Sequence, residues 1–299
     1  NTQPWSFVAA ADHIDTRLDR ARVLPVADPG GHEARLSCGA ALANLRLALR
    51  AAGSAEVTTV LPDRADPDLL ARTLLGGPHR PSGEETDLAR AIPRRHTNRS
   101  PFLDREVPRR VRAALVRTAF AEGARLLVPD HPGELVALVN RADHVQGQDE
   151  DYRRELRAWV RREPDRTDGV PAWVALRAPS HEGVLVPRDF TDGRDDAAVD
   201  RFEQDPLLAV LTTPGDTPRD HVLAGQAMQR VLLRADHEGL ASSFLSQPIE
   251  VPAVRSALRV LVGGVPHAVL RLGYGYGRPP TPRRPVAEVV TVETGGGDR

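Results

Sequence analysis

The sequence predicts an α+β protein in which a mixed or antiparallel sheet is flanked by helices. Two long stretches, residues 36–52 and 222–237, carry apolar side chains at helical spacing. Gly53 and Gly239 follow them, which is typical of helix ends. Strand-like apolar runs follow each helical stretch along the chain. Because helices and strands share one chain without a strict alternation, the α+β class is favoured.

The two helical stretches also resemble each other, which indicates an internal repeat. Residues 38–53 align without gaps on residues 224–239, so that Gly39 corresponds to Gly225. Further along, residues 67–76 are similar to residues 266–275. Each copy therefore consists of a helix and then a strand. Chance similarity between two amphipathic helices is the alternative explanation.

The remaining elements follow from local pattern and punctuation. Residues 12–31 are turn-rich, and residues 76–86 have the composition of a linker. Residues 142–205 are polar, charged and interrupted by prolines, which predicts an excursion over the core and a plausible lid. The predicted strands are 5–11, 56–61, 69–75, 125–128, 207–212 and 267–272. The further predicted helices are 107–121, 133–141 and 251–262.

Composition excludes several classes of function. The chain has 299 residues, a mass of 32.5 kDa, a formal charge of −1 and a pI of about 6.9. Neither nucleic acid nor an anionic membrane is therefore an expected partner. A single cysteine, Cys38, cannot form an internal disulfide and suits a cytoplasmic protein. All 40 basic residues are arginine, which excludes lysine-nucleophile chemistry.

A basic hexad at residues 94–99 is the strongest local signal for a binding site. It combines three arginines, one histidine and one threonine hydroxyl. Arginine presents a planar fork of donors that fits a phosphate at two points, and it stays charged. The hexad therefore predicts either a pocket for a terminal phosphate or a solvated basic loop.

Two further stretches accompany the hexad. One is Asn-x-Gln-Pro-Trp at residues 1–5, and the other is the glycine-tyrosine, Pro-Pro and Arg-Arg-Pro run at residues 273–285. Together the three motifs resemble the FMN-dependent nitroreductase superfamily, and within it the Acg-like family of fused single-chain homologues. The resemblance implies a nitroreductase-like fold of two halves forming an internal pseudo-dimer. A partial N-terminal half would cover residues 1–90, and a C-terminal half residues 91–294, including the excursion at 142–205.

The same resemblance implies a set of cofactor-binding residues. Hexad side chains and a late arginine would hold the FMN phosphate, and the N-terminal stretch would lie near the flavin ring or ribityl chain. A loop after the second helix would run along the ring, with the backbone N–H of Ser246 facing flavin N5. The expected cofactor-binding residues are Asn1, Gln3, Arg95, Thr97, Arg99, Leu245, Ser246 and Arg283.

The implied function is an FMN-binding oxidoreductase that passes hydride from NAD(P)H through FMN N5 to a small-molecule acceptor, such as a nitroaromatic or a quinone. Such an enzyme needs no catalytic side chain. No histidine pair has zinc-ligand spacing, so no metal is expected. The alternative is a protein that stores or sequesters FMN with little turnover. The chain is expected to be a monomer or a homodimer, with one complete flavin site.

Overall fold

The computed structural model describes residues 1–161, 166–172, 185, 188, 190, 207–277 and 281–293. Two helices of 20 residues each, α1 (His32–Ala51) and α6 (Pro218–His237), pack against each other at the centre of this part of the chain. Both begin four residues before the predicted starts. No helix among the described residues has the length and apolar character needed to cross a bilayer. The cytoplasmic localisation stays a prediction.

Local sequence explains where the central helices begin and end. Thr217 forms a capping box with Asp220 at the start of α6, and Pro218 occupies its first turn. At the start of α1, the Asp28 carboxylate accepts a hydrogen bond from the Ala34 N–H at 2.8 Å. The glycines that follow both helices have positive φ, as predicted for helix ends.

The helices cross at a pair of glycines, Gly39 and Gly225. A Cβ added to Gly39 would overlap the Val222 carbonyl oxygen and lie 3.0 Å from the Gly225 Cα. A Cβ added to Gly225 would overlap the Leu36 carbonyl oxygen and lie 2.9 Å from the Gly39 Cα. The contact is thus reciprocal, and the two glycines are the pair that the internal alignment equates. Only a residue without a side chain permits so close an approach.

In the described part of the chain, nine strands form two sheets that share one strand order. The first sheet runs β11-β1-β2-β4-β3, and the second runs β5-β8-β10-β9. When the four strands of each half are numbered in chain order, both sheets have the spatial order first, second, fourth, third. The strand β11, from the end of the chain, pairs with β1 in parallel. All other pairs in these two sheets are antiparallel. The strands are β1 (Trp5–Ala9), β2 (His13–Leu18), β3 (Ser54–Val60), β4 (Leu69–Pro78), β5 (Arg125–Leu127), β8 (Leu207–Thr213), β9 (Ala241–Phe244), β10 (Val265–Gly273) and β11 (Val290–Val292).

The α+β class with mixed and antiparallel sheets flanked by helices is confirmed. Apolar side chains of the second sheet pack on α6 from one face and on further helices from the other, so β8 and β10 are buried throughout. The first sheet packs on α1 from one face. The remaining elements are α2 (Gly83–Ala91), α3 (Arg109–Ala121), α4 (Gly133–Gln148), α5 (Glu150–Trp159), β6 (Val160–Arg161), β7 (Val170–Pro171), α7 (Gln247–Glu250), α8 (Pro252–Val262) and α9 (Val286–Val289).

Three predicted segments differ from the structure. The turn-rich segment 12–31 contains β2, which pairs with β1 in an antiparallel hairpin and buries Thr16 and Leu18. The linker 76–86 contains the end of β4 and the beginning of α2, which Ser82 and Glu85 cap reciprocally. The excursion at 142–205 begins inside α4 and continues into α5, and much of its later part lies outside the described residues.

Candidate functional site

A cavity of about 350 Å³ lies between the two central helices. Small side chains of α1, among them Ser37 and Ala40, form one wall, and Met228 and Gln229 of α6 form another. Trp159 also lines the cavity. Seven of the eight predicted cofactor-binding residues line this cavity: Asn1, Gln3, Arg95, Thr97, Arg99, Ser246 and Arg283.

The basic hexad is anchored against the edge of the second sheet and is not a solvated loop. Thr97 forms a bridge with Ser242, whose carbonyl accepts a hydrogen bond from the Asn98 N–H at 2.8 Å. The Asn98 side chain donates to the Tyr276 carbonyl at 3.1 Å and accepts from the Ser100 N–H at 3.0 Å. Asn98 is only 4% exposed. This anchoring turns Arg95 and Arg99 into the cavity.

The hexad arginines have two different environments. Arg94 points outwards and forms an ion pair with Asp236 at 2.9 Å. Arg95 and Arg99 form no ion pair with any carboxylate in the described part of the chain. The Nε atom of Arg95 is buried without a hydrogen-bond partner. One end of the cavity therefore holds guanidinium groups that form no ion pair with a described carboxylate.

Burial lowers the pKa of the three arginines that line the cavity, Arg95, Arg99 and Arg283. The pKa of Arg95 falls to about 10 through burial and then through repulsion from Arg283. The pKa of Arg99 falls to about 10 through burial and then through repulsion from Arg188. Burial likewise lowers the pKa of Arg283. All three remain charged at neutral pH, and neighbouring cations repel one another unless an anion joins them.

The N-terminal stretch closes the cavity from the side of the late arginine run. Gln3 has a φ of 52° and is 2% exposed. Its side chain donates to the Thr167 carbonyl at 2.9 Å and accepts from the Arg284 N–H at 2.9 Å. The Asn1 side-chain amide donates to the Pro282 carbonyl at 3.3 Å. The two ends of the described chain are thereby held together beside Arg283.

Ser246 and Leu245 behave differently, although both were predicted to bind the cofactor. Ser246 caps α7 and lines the cavity, and no described residue accepts a hydrogen bond from its N–H. Leu245 is 1% exposed and packs in the hydrophobic cluster below the second sheet, while its N–H donates to the Val269 carbonyl at 2.9 Å. Leu245 supports the loop from beneath and does not line the cavity.

Comparisons with known proteins identify the family. The chain is 31% identical over 305 residues to a Mycobacterium tuberculosis protein with the provisional name NAD(P)H nitroreductase acg, covering 98% of this chain and 91% of that protein. A second M. tuberculosis protein, Rv3131, also provisionally named an NAD(P)H nitroreductase, is 32% identical over 310 residues, covering 97% and 86%. This chain belongs to the Acg family of nitroreductase homologues. The predicted family and nitroreductase-like fold are therefore confirmed.

Solved structures are only distantly similar to this Acg-family chain. A nitroreductase with bound FMN from Desulfitobacterium hafniense DCB-2 superposes with a TM-score of 0.46 at 15% identity, covering 69% of this chain and 97% of that chain. A similarity at this level carries no argument on function. No family model matches the chain.

Sequence reasoning missed the acidic end of the cavity in this Acg-family protein. Asp28, Glu33 and Glu250 line the cavity together with Arg188. Arg188 donates to the Glu250 carboxylate at 2.6 Å. These residues come from a loop, from the first turn of α1, from α7 and from the excursion. No sequence motif joins them, so only their assembly in space reveals the group.

Three histidines and an aspartate also come together, with one donor atom of each within 4.8 Å of the others: His32, Asp216, His221 and His267. Arg35 Nε donates to His221 Nδ1 at 3.1 Å, so His221 Nε2 carries the proton that it donates to Asp216 at 2.9 Å. Both ring nitrogens of His221 are thus engaged by protein partners. The expectation of no metal stays a prediction.

A second, smaller cavity of about 160 Å³ lies on the opposite side of the helix pair. In the internal alignment Arg46 corresponds to Leu232, and Arg230 corresponds to Asn44; Leu232 and Asn44 line the main cavity. Arg46 forms an ion pair with the buried Glu56 at 3.1 Å. At the equivalent positions, long charged side chains fill part of the second cavity, whereas shorter or apolar side chains leave the main cavity open.

Proposed function

We propose that the main cavity binds FMN, with the phosphate at the end formed by Arg95, Arg99 and Arg283. The observation that carries this proposal is the set of three guanidinium groups that line one end of the cavity and have no carboxylate partner among the described residues. Phosphate is the anion whose geometry matches an arginine fork, and the Thr97 hydroxyl adds a neutral donor.

The rest of the cavity suits the remainder of the cofactor. Ser37 and Ala40 leave a smooth, uncrowded wall for a planar ring. The Ser246 N–H, which has no acceptor among the described residues, is the donor expected near flavin N5. Asn1 and Gln3 supply amide groups for the polar parts of the ring or ribityl chain. The residues present therefore fit FMN.

We infer that the chain is an FMN-dependent NAD(P)H oxidoreductase. When bound, FMN supplies the hydride chemistry, and the protein supplies binding, orientation and exclusion of water. The arginines would fix the phosphate, and Trp159 and Phe190 would limit solvent at the opening. The provisional names of the two M. tuberculosis relatives support this activity. A nitroaromatic or a quinone is the proposed acceptor.

We also infer that the chain is a fused pair of halves, residues 1–90 and 91–294. The equal strand order of the two sheets and the reciprocal contact of Gly39 with Gly225 support this inference. In a two-fold arrangement of this kind, each flavin site lies between the halves. The complete site would then combine the N-terminal stretch of one half with the hexad of the other.

Flavin binding tests the proposal. Loss of one charge-assisted contact to phosphate costs about 1.5–3 kcal/mol. Arg99→Ala should therefore raise the Kd for FMN by roughly 10- to 150-fold, as measured by quenching of flavin fluorescence. Arg94→Ala is the matched control, because Arg94 belongs to the same hexad but pairs with Asp236 at the surface. FMN binding that survives replacement of Arg95, Arg99 and Arg283 together would contradict the phosphate assignment.

A second measurement separates turnover from storage. Anaerobic mixing of the FMN-loaded chain with NADPH or NADH should bleach the flavin absorbance within seconds if the protein is a reductase. Bleaching over hours with retention of the flavin would instead favour the storage function.

A further inference from the structure

A charged side chain is buried in the second sheet, in contact with the backbone of the hexad loop. Arg271 belongs to β10, an inner strand of that sheet, and is 1% exposed. It is the largest fully buried side chain among the described residues. Burying a guanidinium group is unfavourable unless its donors find acceptors. The contacts of Arg271 therefore indicate what this charge does in the sheet.

The guanidinium group of Arg271 contacts the backbone on both sides of Arg99. Its Nη2 atom donates a hydrogen bond to the Ser100 carbonyl at 2.6 Å. The same atom lies 3.5 Å from the Asn98 carbonyl oxygen, which is a longer and weaker contact. A hydrogen bond from a charged donor is stronger than one from a neutral donor. One buried cation thus holds the backbone from which the Arg99 side chain departs.

An aromatic ring keeps the Arg271 guanidinium group in this place. Its Cζ atom lies 4.0 Å from the centre of the Phe102 ring, which is a cation–π distance. Gly273 packs against the same ring, because a Cβ added there would lie 2.8 Å from Phe102 Cδ2. A side chain at position 273 would therefore displace the ring. This glycine of the late run leaves room for the ring to lie on Arg271.

The Arg99 side chain depends on this support for its direction. Arg99 is long and flexible, and its guanidinium group lines the cavity 5.0 Å from the centre of the Phe190 ring. A flexible side chain loses rotamer freedom when it binds a ligand, so a binding site gains from a backbone that is already fixed. The hydrogen bond from Arg271 to Ser100 fixes the peptide unit that follows Arg99.

Filling space is the alternative role for Arg271. In the sheet it pairs with Leu208 of β8 and with Ser243 of β9. Apolar residues of similar volume often replace buried charged groups without loss of stability, so packing alone does not require an arginine. The contacts with both carbonyls that flank Arg99 favour a positioning role instead.

We propose that Arg271 is a positioning residue for the phosphate end of the cavity and that it acts through Arg99. This inference rests on the proposed binding of the FMN phosphate by Arg99. Arg271 is not among the described residues that line the cavity, so its effect on the cofactor is indirect. Without Arg271, the Arg99 guanidinium group would spend less time in the direction that meets a phosphate.

A double-mutant cycle on FMN affinity tests this role. The Kd for FMN is measured by flavin fluorescence in the unmodified chain, in R271M, in R99A and in R99A/R271M. A residue that acts through another loses its effect once the other is removed. R271M should raise the Kd at least about tenfold, as expected for the loss of one charge-assisted phosphate contact. In the R99A background it should change the Kd by less than about twofold.

L208A is the matched control. Leu208 pairs with Arg271, is 2% exposed and is not among the described residues that line the cavity. Its effect on the Kd, of whatever size, should be equal with and without Arg99. R271K decides if circular dichroism shows that R271M does not fold. Lysine keeps the charge but not the planar fork, so its smaller loss of affinity should also vanish in the R99A background.

Two results would overturn the positioning role. One is an equal loss of affinity from the Arg271 variant with and without Arg99, and the other is no loss in the unmodified background. An R99A chain that binds FMN as tightly as the unmodified chain would refute the proposed phosphate site, and this inference with it.

Discussion

The close crossing of α1 and α6 makes Gly39→Ala a sharp test of the fold. The added methyl group would overlap the Val222 carbonyl oxygen and lie 3.0 Å from the Gly225 Cα, and backbone atoms cannot rotate away. The helices would have to separate by on the order of 1 Å to restore contact distances near 3.5–4 Å. Overpacking of this kind costs about 1–3 kcal/mol, and alanine returns about 1 kcal/mol of helix propensity.

We expect a net loss of up to about 2 kcal/mol from Gly39→Ala. For a chain of this size the loss corresponds to a Tm lower by up to roughly 3 °C in thermal unfolding followed by circular dichroism. Gly147→Ala in α4 is the control, because no atom lies within 4 Å of the added methyl group. Its Tm should be unchanged or slightly higher. Equal Tm values for the two variants would refute the crossing.

Two further predictions concern the cofactor and pH. Saturation with FMN followed by desalting should give one flavin per chain by absorbance, because Arg46 and its partner Glu56 occupy the equivalent second space; a ratio near two would contradict this. Burial lowers the pKa of His267 to about 4, so the unfolded chain binds a proton that the folded chain does not between about pH 6.5 and 4. The free energy of unfolding should therefore fall as pH falls through that window, by up to about 3 kcal/mol for this group. In His267→Gln the decline of Tm with falling pH should be flatter. An unchanged dependence of Tm on pH in the variant would contradict the prediction.

Much of the fold could be predicted because it depends on local sequence patterns. Apolar spacing and terminal glycines fixed the two central helices, and the alignment of Gly39 with Gly225 singled out the residues that meet at their crossing. The strand β2 escaped prediction because its polar residues resemble those of a turn. It is stabilised by pairing with the preceding strand β1 and with β4, which is distant in sequence.

For the site, the sequence by itself determined the cationic end of the cavity. Arg95, Thr97 and Arg99 lie within one short motif, so their chemistry is visible before folding. Only the tertiary structure decided which arginine of the hexad faces outwards, since the anchoring of Asn98 on the second sheet sets that direction.

Only the tertiary structure, too, could bring Glu33 and Glu250 to one cavity, because more than 200 positions separate them along the chain. Burial then raises the pKa of Glu33, and burial depends on what packs around a group and not on its neighbours in sequence. A motif shows charges that act together locally, whereas two carboxyl groups that are distant in sequence come to line one cavity only through folding.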